Sequence, residues 1–192
     1  MARYGSEHKR QTRNRLVEAA ARLFRRHGYD GVGIDQLCAG AGLTRGAFYA
    51  HFPSKAGLLA AVLDGAHDLL ERLRTRPAET PQQLARGARQ VVMDYLHGPN
   101  REAVLGGCSF AALAMDTVRG DEAAQAAYAA AVESVIAELG RGQAAPDRDA
   151  ARAALALCVG GLLISGGCGG SAAGKSVARA ARREASRLLQ PS

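Results

Sequence analysis

Four side chains within eleven residues, Arg45, Tyr49, His51 and Lys55, have the types and spacing to grip a nucleic acid. An arginine fork suits the acceptor pair on a guanine edge. An exposed tyrosine beside a histidine with no acidic neighbour is hard to explain as plain surface. A lysine heading a helix opposes the macrodipole, which is reasonable when a phosphate lies nearby. Upstream, Arg3, Lys9, Arg10 and Arg13 precede or open the first helix. They could follow the backbone or enter the minor groove; a disordered basic tail is the plain alternative.

Such residues need a scaffold, and the segment around them supplies one. Ile34, Leu37 and Ala41 share one face of a short helix. Gly42 can take positive φ, so the chain turns sharply there. Leu43 plugs the turn into the core, and Thr44 can cap the next helix through its hydroxyl. Phe48 and Phe52, four apart, point inward, which leaves Arg45, Gly46, Tyr49 and His51 facing out. Pro53 and Ser54 close that helix and cap another that starts at Lys55. Short helix, glycine turn, short helix is the layout of a helix-turn-helix module.

The string Ala41-Gly42-Leu43-Thr44-Arg45-Gly46-Ala47-Phe48-Tyr49-Ala50-His51-Phe52, followed by Ser54-Lys55 and Leu58-Leu59, resembles the TetR family of bacterial transcriptional regulators. The resemblance covers roughly the first third of the chain; the remainder agrees in length and helical character. Two positions depart from the family pattern. Gly33 stands where Ser or Thr usually caps the first short helix, and Gly57 occupies the first turn of the connecting helix. The resemblance implies an all-α fold of about nine helices: an N-terminal three-helix DNA-binding domain (1–54) and a ligand-binding and dimerisation domain (55–192). It implies phosphate contacts for Tyr49 and His51, beside DNA contacts at Thr44, Arg45, Gly46 and Lys55.

Charge agrees with that reading. The net charge is +7. Residues 1–55 hold ten Lys/Arg against four Asp/Glu, a balance of +6, so the basic excess sits on the segment that would meet DNA. The four cysteines (38, 108, 158, 168) show neither CxxC nor metal-ligand spacing and read as buried free thiols. No apolar signal segment opens the chain, and Gly, Ser and Cys interrupt the apolar run near residue 160. The expectation is a cytoplasmic protein with no membrane span, no metal and no cofactor.

Periodicity predicts helices almost throughout. A flexible arm covers residues 1–8, and a helix follows to His27. The connecting helix runs from Lys55 to Arg76, stopped by Pro77. Pro81 opens the next helix, Gly98-Pro99-Asn100 breaks the chain, and a helix over 102–118 is interrupted at Gly106-Gly107. Further helices start at Gly120-Asp121, near Asp149 and at Ala172. Leu155, Val159, Leu162 and Leu163 form an apolar stripe, flanked by Gly160, Gly161, Gly166 and Gly167. In the TetR family such helices pair two subunits, here with Val177 and Leu188, so two reading heads match a palindrome.

The middle of the chain should enclose an apolar pocket lined by Met93, Leu96, Cys108, Phe110, Leu113, Tyr128 and Val132. Gly169-Gly-Ser-Ala-Ala-Gly-Lys-Ser176 satisfies a phosphate-loop pattern. No strand, sheet or metal-holding aspartate accompanies it, so a Gly-rich link between two helices is the better reading. The expected function is a homodimeric repressor, not an enzyme, released from a palindromic operator by a small apolar or aromatic ligand. The alternatives are a thiol-based sensor acting through Cys108 and a helical ligand-binding protein with a vestigial head.

Overall fold

The computed structural model describes residues 2–65, 69–97, 108–143 and 148–190. These hold ten helices and no strand: α1 (Ala2–His27), α2 (Ile34–Ala41), α3 (Arg45–Tyr49), α4 (Lys55–Leu63), α5 (Leu69–Arg74), α6 (Pro81–Tyr95), α7 (Ser109–Arg119), α8 (Glu122–Gly140), α9 (Arg148–Gly167) and α10 (Ala172–Leu188). Helices α1 to α3 form a head, α5 to α10 a body, and α4 packs against α1 on one side and α7 and α8 on the other. Leu16, Phe24, Phe48, Leu58, Leu59 and Leu63 join both parts in one apolar core.

Local signals explain most boundaries. Thr80 caps α6 through a hydrogen bond accepted from Gln83 N, the Gln83 Oε1 accepts one from Thr80 N, and Pro81 sits in the first turn. Asp121 and Ser171 cap α8 and α10 in the same way. Helices α9 and α10 form a hairpin whose axes close to near contact, because a Cβ at Gly161 would lie 2.7 Å from the Ala181 methyl.

Four expectations need correction. Helix α1 starts at Ala2, so the basic arm is helical and continuous with the first helix. The connecting helix is not one rod from Lys55 to Arg76: α4 stops at Leu63, Asp64 turns and Gly65 bends away before α5. Glycine destabilises a helix interior by about 1 kcal/mol, and Arg74 holds the Asp64 carboxylate at 2.6 Å across the break. That break raises the helix number from nine to ten among the described residues. The apolar run near residue 160 also forms a helix long and apolar enough, by length and composition, to cross a membrane. Its small residues do not interrupt it; Gly161, Ser165 and Gly166 are buried contact points against the rest of the body. The expected breaks at Gly98-Pro99-Asn100 and Gly106-Gly107 lie outside the described residues.

The head meets the body through Asp116 of α7, whose carboxylate accepts a hydrogen bond from the Tyr29 backbone. Burial and the neighbouring Asp30 push this carboxyl above its ordinary value, with Arg119 and the Tyr29 bond opposing. A raised carboxyl adds stability below the unfolded value, near pH 4, and that contribution is lost as pH rises through the folded one. At pH 7 the ionised group is therefore a small burden. Asp116→Asn keeps an acceptor and removes the charge, so its melting temperature at pH 7 should equal or exceed that of the wild type. The gap should narrow below pH 4; a clear drop at pH 7 would contradict this reading.

Candidate nucleic-acid interface and effector cavity

Helices α2 and α3 are set by the turn between them. The Gly33 N–H donates to Gln36 Oε1 at 2.8 Å, the return half of a capping box, while Gly33 itself offers no side chain to accept from the first turn of α2. Gly42 takes φ 63°, ψ 44°, and its N–H donates to the Ala39 carbonyl at 3.0 Å. Arg15 of α1 then clamps the turn, donating to the Ala41 carbonyl at 2.6 Å. Thr44 caps α3 by accepting from Ala47 N at 3.2 Å. Phe48 is fully buried and Phe52 nearly so, and these anchors fix which face of α3 looks outward.

That outer face carries Arg45, Gly46 and, at its end, Tyr49, which is 54% exposed while its ring edge packs on Phe48. Arg45 is held across the motif by an exposed ion pair, Nε to Asp35 Oδ1 at 3.1 Å. His51 is half-buried; its imidazole is pulled below the ordinary value by burial, then by Lys9 and Arg13 of α1. The ring thus marks a place where two cationic side chains, Lys9 and Arg13, converge, a field a phosphate would relieve. Arg13 also lies over the Phe52 ring, 5.2 Å from its centroid.

Lys55 behaves differently from the expectation. Its ammonium folds inward, donating to the Tyr29 carbonyl at 3.0 Å and the Val32 carbonyl at 3.4 Å, and sits 4.1 Å above the centre of the Tyr29 ring. It ties the start of α4 to the segment after α1. The Arg15 clamp and the Asp35–Arg45 pair were not read from sequence; partners 26 and 10 positions away have no local signature.

The residues expected to line one pocket separate into four places. Phe110, Tyr128 and Val132 line a cavity of about 400 Å³ between α7, α8 and α9, with Ile136, Leu155 and Val159. Glu133 and Arg152 stand at its edge. The Tyr128 hydroxyl donates to the Phe110 carbonyl at 3.0 Å, and burial pushes this phenol up to about 12, so it stays protonated. Leu96 and Leu113 are sealed in the core. Cys108 is buried and accepts a hydrogen bond from the Tyr95 hydroxyl. Met93 lies elsewhere, in a groove between α6 and α10 beside Arg89 and Arg182.

Two of the four thiols are quiet ones. Burial, then Cys108, pushes Cys158 up to about 12, and burial pushes Cys38 up as well. Thiolate is the reactive form, and neither environment favours it. In the phosphate-loop-like segment, Gly169 and Gly170 turn the chain, but Ala172 to Ser176 already lie inside α10. The wrap of backbone N–H groups that such a loop needs is therefore absent there.

On the flank of the hairpin, Leu155 and Leu162 turn into the core of their own chain, whereas Val159, Leu163, Val177 and Leu188 are only half-buried. Ile164 is 55% exposed, and a Cβ at Gly160 or Gly167 would meet nothing within 4 Å.

Residues 16–62 match the family described as bacterial regulatory proteins, tetR family. The HTH-type transcriptional regulator TtgR of Pseudomonas putida is 36% identical over 84 residues, 44% of this chain and 40% of TtgR. The chain thus aligns with less than half the length of that curated relative. Among solved structures, the reduced form of E. coli NemR superposes with a TM-score of 0.64 at 20% identity, covering 91% of this chain and 95% of NemR. The SmeT–triclosan complex gives 0.63 at 21% identity, covering 93% and 90%. At these identities the likeness establishes the shared fold.

Proposed function

Because residues 16–62 match the family described as bacterial regulatory proteins, tetR family, we propose that the protein is a homodimeric, ligand-responsive transcriptional regulator of that family. It represses by binding a palindromic operator in the cytoplasm and is released by a small apolar or aromatic effector. The observation that carries this is the outward face of α3. Arg45 and Tyr49 are presented to solvent by a glycine turn, a threonine cap and two buried phenylalanines, and a folded core gains nothing by leaving that aromatic exposed.

The remaining parts follow from packing. The open stripe of Gly160, Leu163, Ile164 and Gly167, with Val177 and Leu188 beside it, is the surface on which a second copy would seat. The cavity of Phe110, Tyr128 and Val132 is the effector site, apolar over most of its wall and able to accept one hydrogen bond partner at its rim. Effector binding would shift the α4–α7 packing and re-space the two heads. The chain acts by binding and carries no catalytic role. A thiol-sensing output through Cys108 is the weaker reading, since that thiol is buried.

Selection on randomised duplexes tests the assignment of roles. Tyr49→Ala should weaken all sequences about equally. Arg45→Ala should cost about 1–3 kcal/mol and relax preference at one position of each half-site. An identical consensus for wild type and Arg45→Ala would remove the base-reading role. Lys55→Ala should weaken binding together with thermal stability, because its ammonium is built into the head.

A further inference from the structure

A second cavity, about 590 Å³, opens between head and body. Helix α1 gives it Val17, Ala21 and Arg25, α4 gives Ala61 and Val62, and α7 gives Ser109. It shares no lining residue with the cavity of Phe110, Tyr128 and Val132.

Val17, Ala21, Ala61 and Val62 give it an apolar side; the rest of the lining is mostly polar, with Arg13, Arg22 and Arg25 against Glu18 and Asp64, and Arg25 marks the pole beside Ser109. Arg25 Nη1 donates to Ser109 Oγ at 3.3 Å, while Arg25 Nε is buried and has no hydrogen-bond partner. Buried donors are nearly always paired, because an unmade bond there forfeits solvation without return. Ser109 is also the first residue of α7, so the positive end of that helix dipole lies at the same pole. Of the two acids in the lining, Asp64 is held by Arg74 at 2.6 Å, and Glu18 stands on α1 four residues before Arg22, where side chains are neighbours. No carboxylate among the described residues reaches Arg25.

We propose that this cleft is a binding site for a small organic anion, a carboxylate on an apolar body. The carboxylate accepts from Arg25, and the apolar part rests on Val17, Ala21, Ala61 and Val62. Its occupant touches α1, α4 and α7 at once and so bridges head and body, at a place separate from the effector cavity. The inference stands apart from the DNA-reading role, and its test uses no DNA.

The probe is 1-naphthoate, with 1-naphthylmethanol as its uncharged counterpart, titrated calorimetrically into the full chain at fixed ionic strength. Naphthoate should bind saturably, and the alcohol at least about tenfold more weakly, as expected for loss of a charge-assisted bond. Arg25→Met, which keeps the stem, and Ala61→Phe, which fills the cleft, should each weaken naphthoate at least about tenfold. Val132→Phe, in the other cavity, should leave it unchanged. Should either cleft variant fail to fold, the ¹⁵Nε resonance of Arg25 in the wild type decides the matter, and it should move as naphthoate is added. No saturable binding, equal binding by Arg25→Met, loss with Val132→Phe instead, or an unmoved Arg25 resonance would each overturn the proposal.

Discussion

Arg76→Ala should destabilise the protein by about 3–5 kcal/mol, the range for removing one member of a buried ion pair. The Arg76 side chain is 3% exposed, and three helices depend on it. Its guanidinium donates to the Leu73 carbonyl at the end of α5, to the Leu84 carbonyl of α6 at 3.0 Å and to the Glu138 carbonyl of α8 at 2.8 Å. The Glu138 carboxylate lies 3.6 Å away. The charge sits near the C-terminal ends of α5 and α8, where a cation satisfies open carbonyls and opposes the dipole. Truncation removes the side-chain donor of three carbonyls on three helices and leaves the Glu138 carboxylate to Arg141 alone, which holds it at 2.9 Å. Arg76→Lys should recover only part of the loss, since one ammonium cannot span the fork's contacts. Urea unfolding should show a lower midpoint with an unchanged slope; a loss below about 1 kcal/mol would contradict this account.

Much of the head was legible because its determinants are local. Gly42, Thr44, Phe48 and Ser54 each act within four residues, and each does in the fold what its type predicts. Arg76 shows where legibility stops. The sequence marks it as the end of a helix before Pro77, but its role rests on carbonyls up to 62 residues away. Lys55 is similar: its position at a helix start is readable, its inward turn onto Tyr29 is not.

The break between α4 and α5 was missed because Leu58 to Leu73 keeps an apolar helical rhythm on both sides of Gly65, and periodicity does not register a turn. Helix α9 poses a different difficulty. It is apolar on nearly every side, so spacing alone could not separate Leu155 and Leu162, which serve the chain's own core, from Gly160, Ile164 and Gly167, which face outward.

That outward face carries the other large expected effect. The pair of changes Gly160→Glu and Ile164→Lys should yield a monomer with wild-type helicity, because a Cβ at Gly160 would meet nothing within 4 Å and Ile164 is 55% exposed. Operator affinity should then fall by a factor on the order of 10²–10⁴, the gain that linking two modest binding heads provides. Sedimentation measures the first consequence and gel-shift titration the second. A variant that stays dimeric would place the interface elsewhere. A monomer that keeps full affinity would deny that two linked heads are needed.

The claim that α3 is a DNA-reading helix is tested most directly by exposing the unmodified chain to a pool of randomised duplexes and sequencing what it retains. The account predicts enrichment of an inverted repeat with half-site centres about one helical turn apart, or a multiple of that, bound by two chains. Its affinity should fall steeply as salt is raised, following the basic excess of the head. No enriched sequence, or binding indifferent to salt, would contradict it.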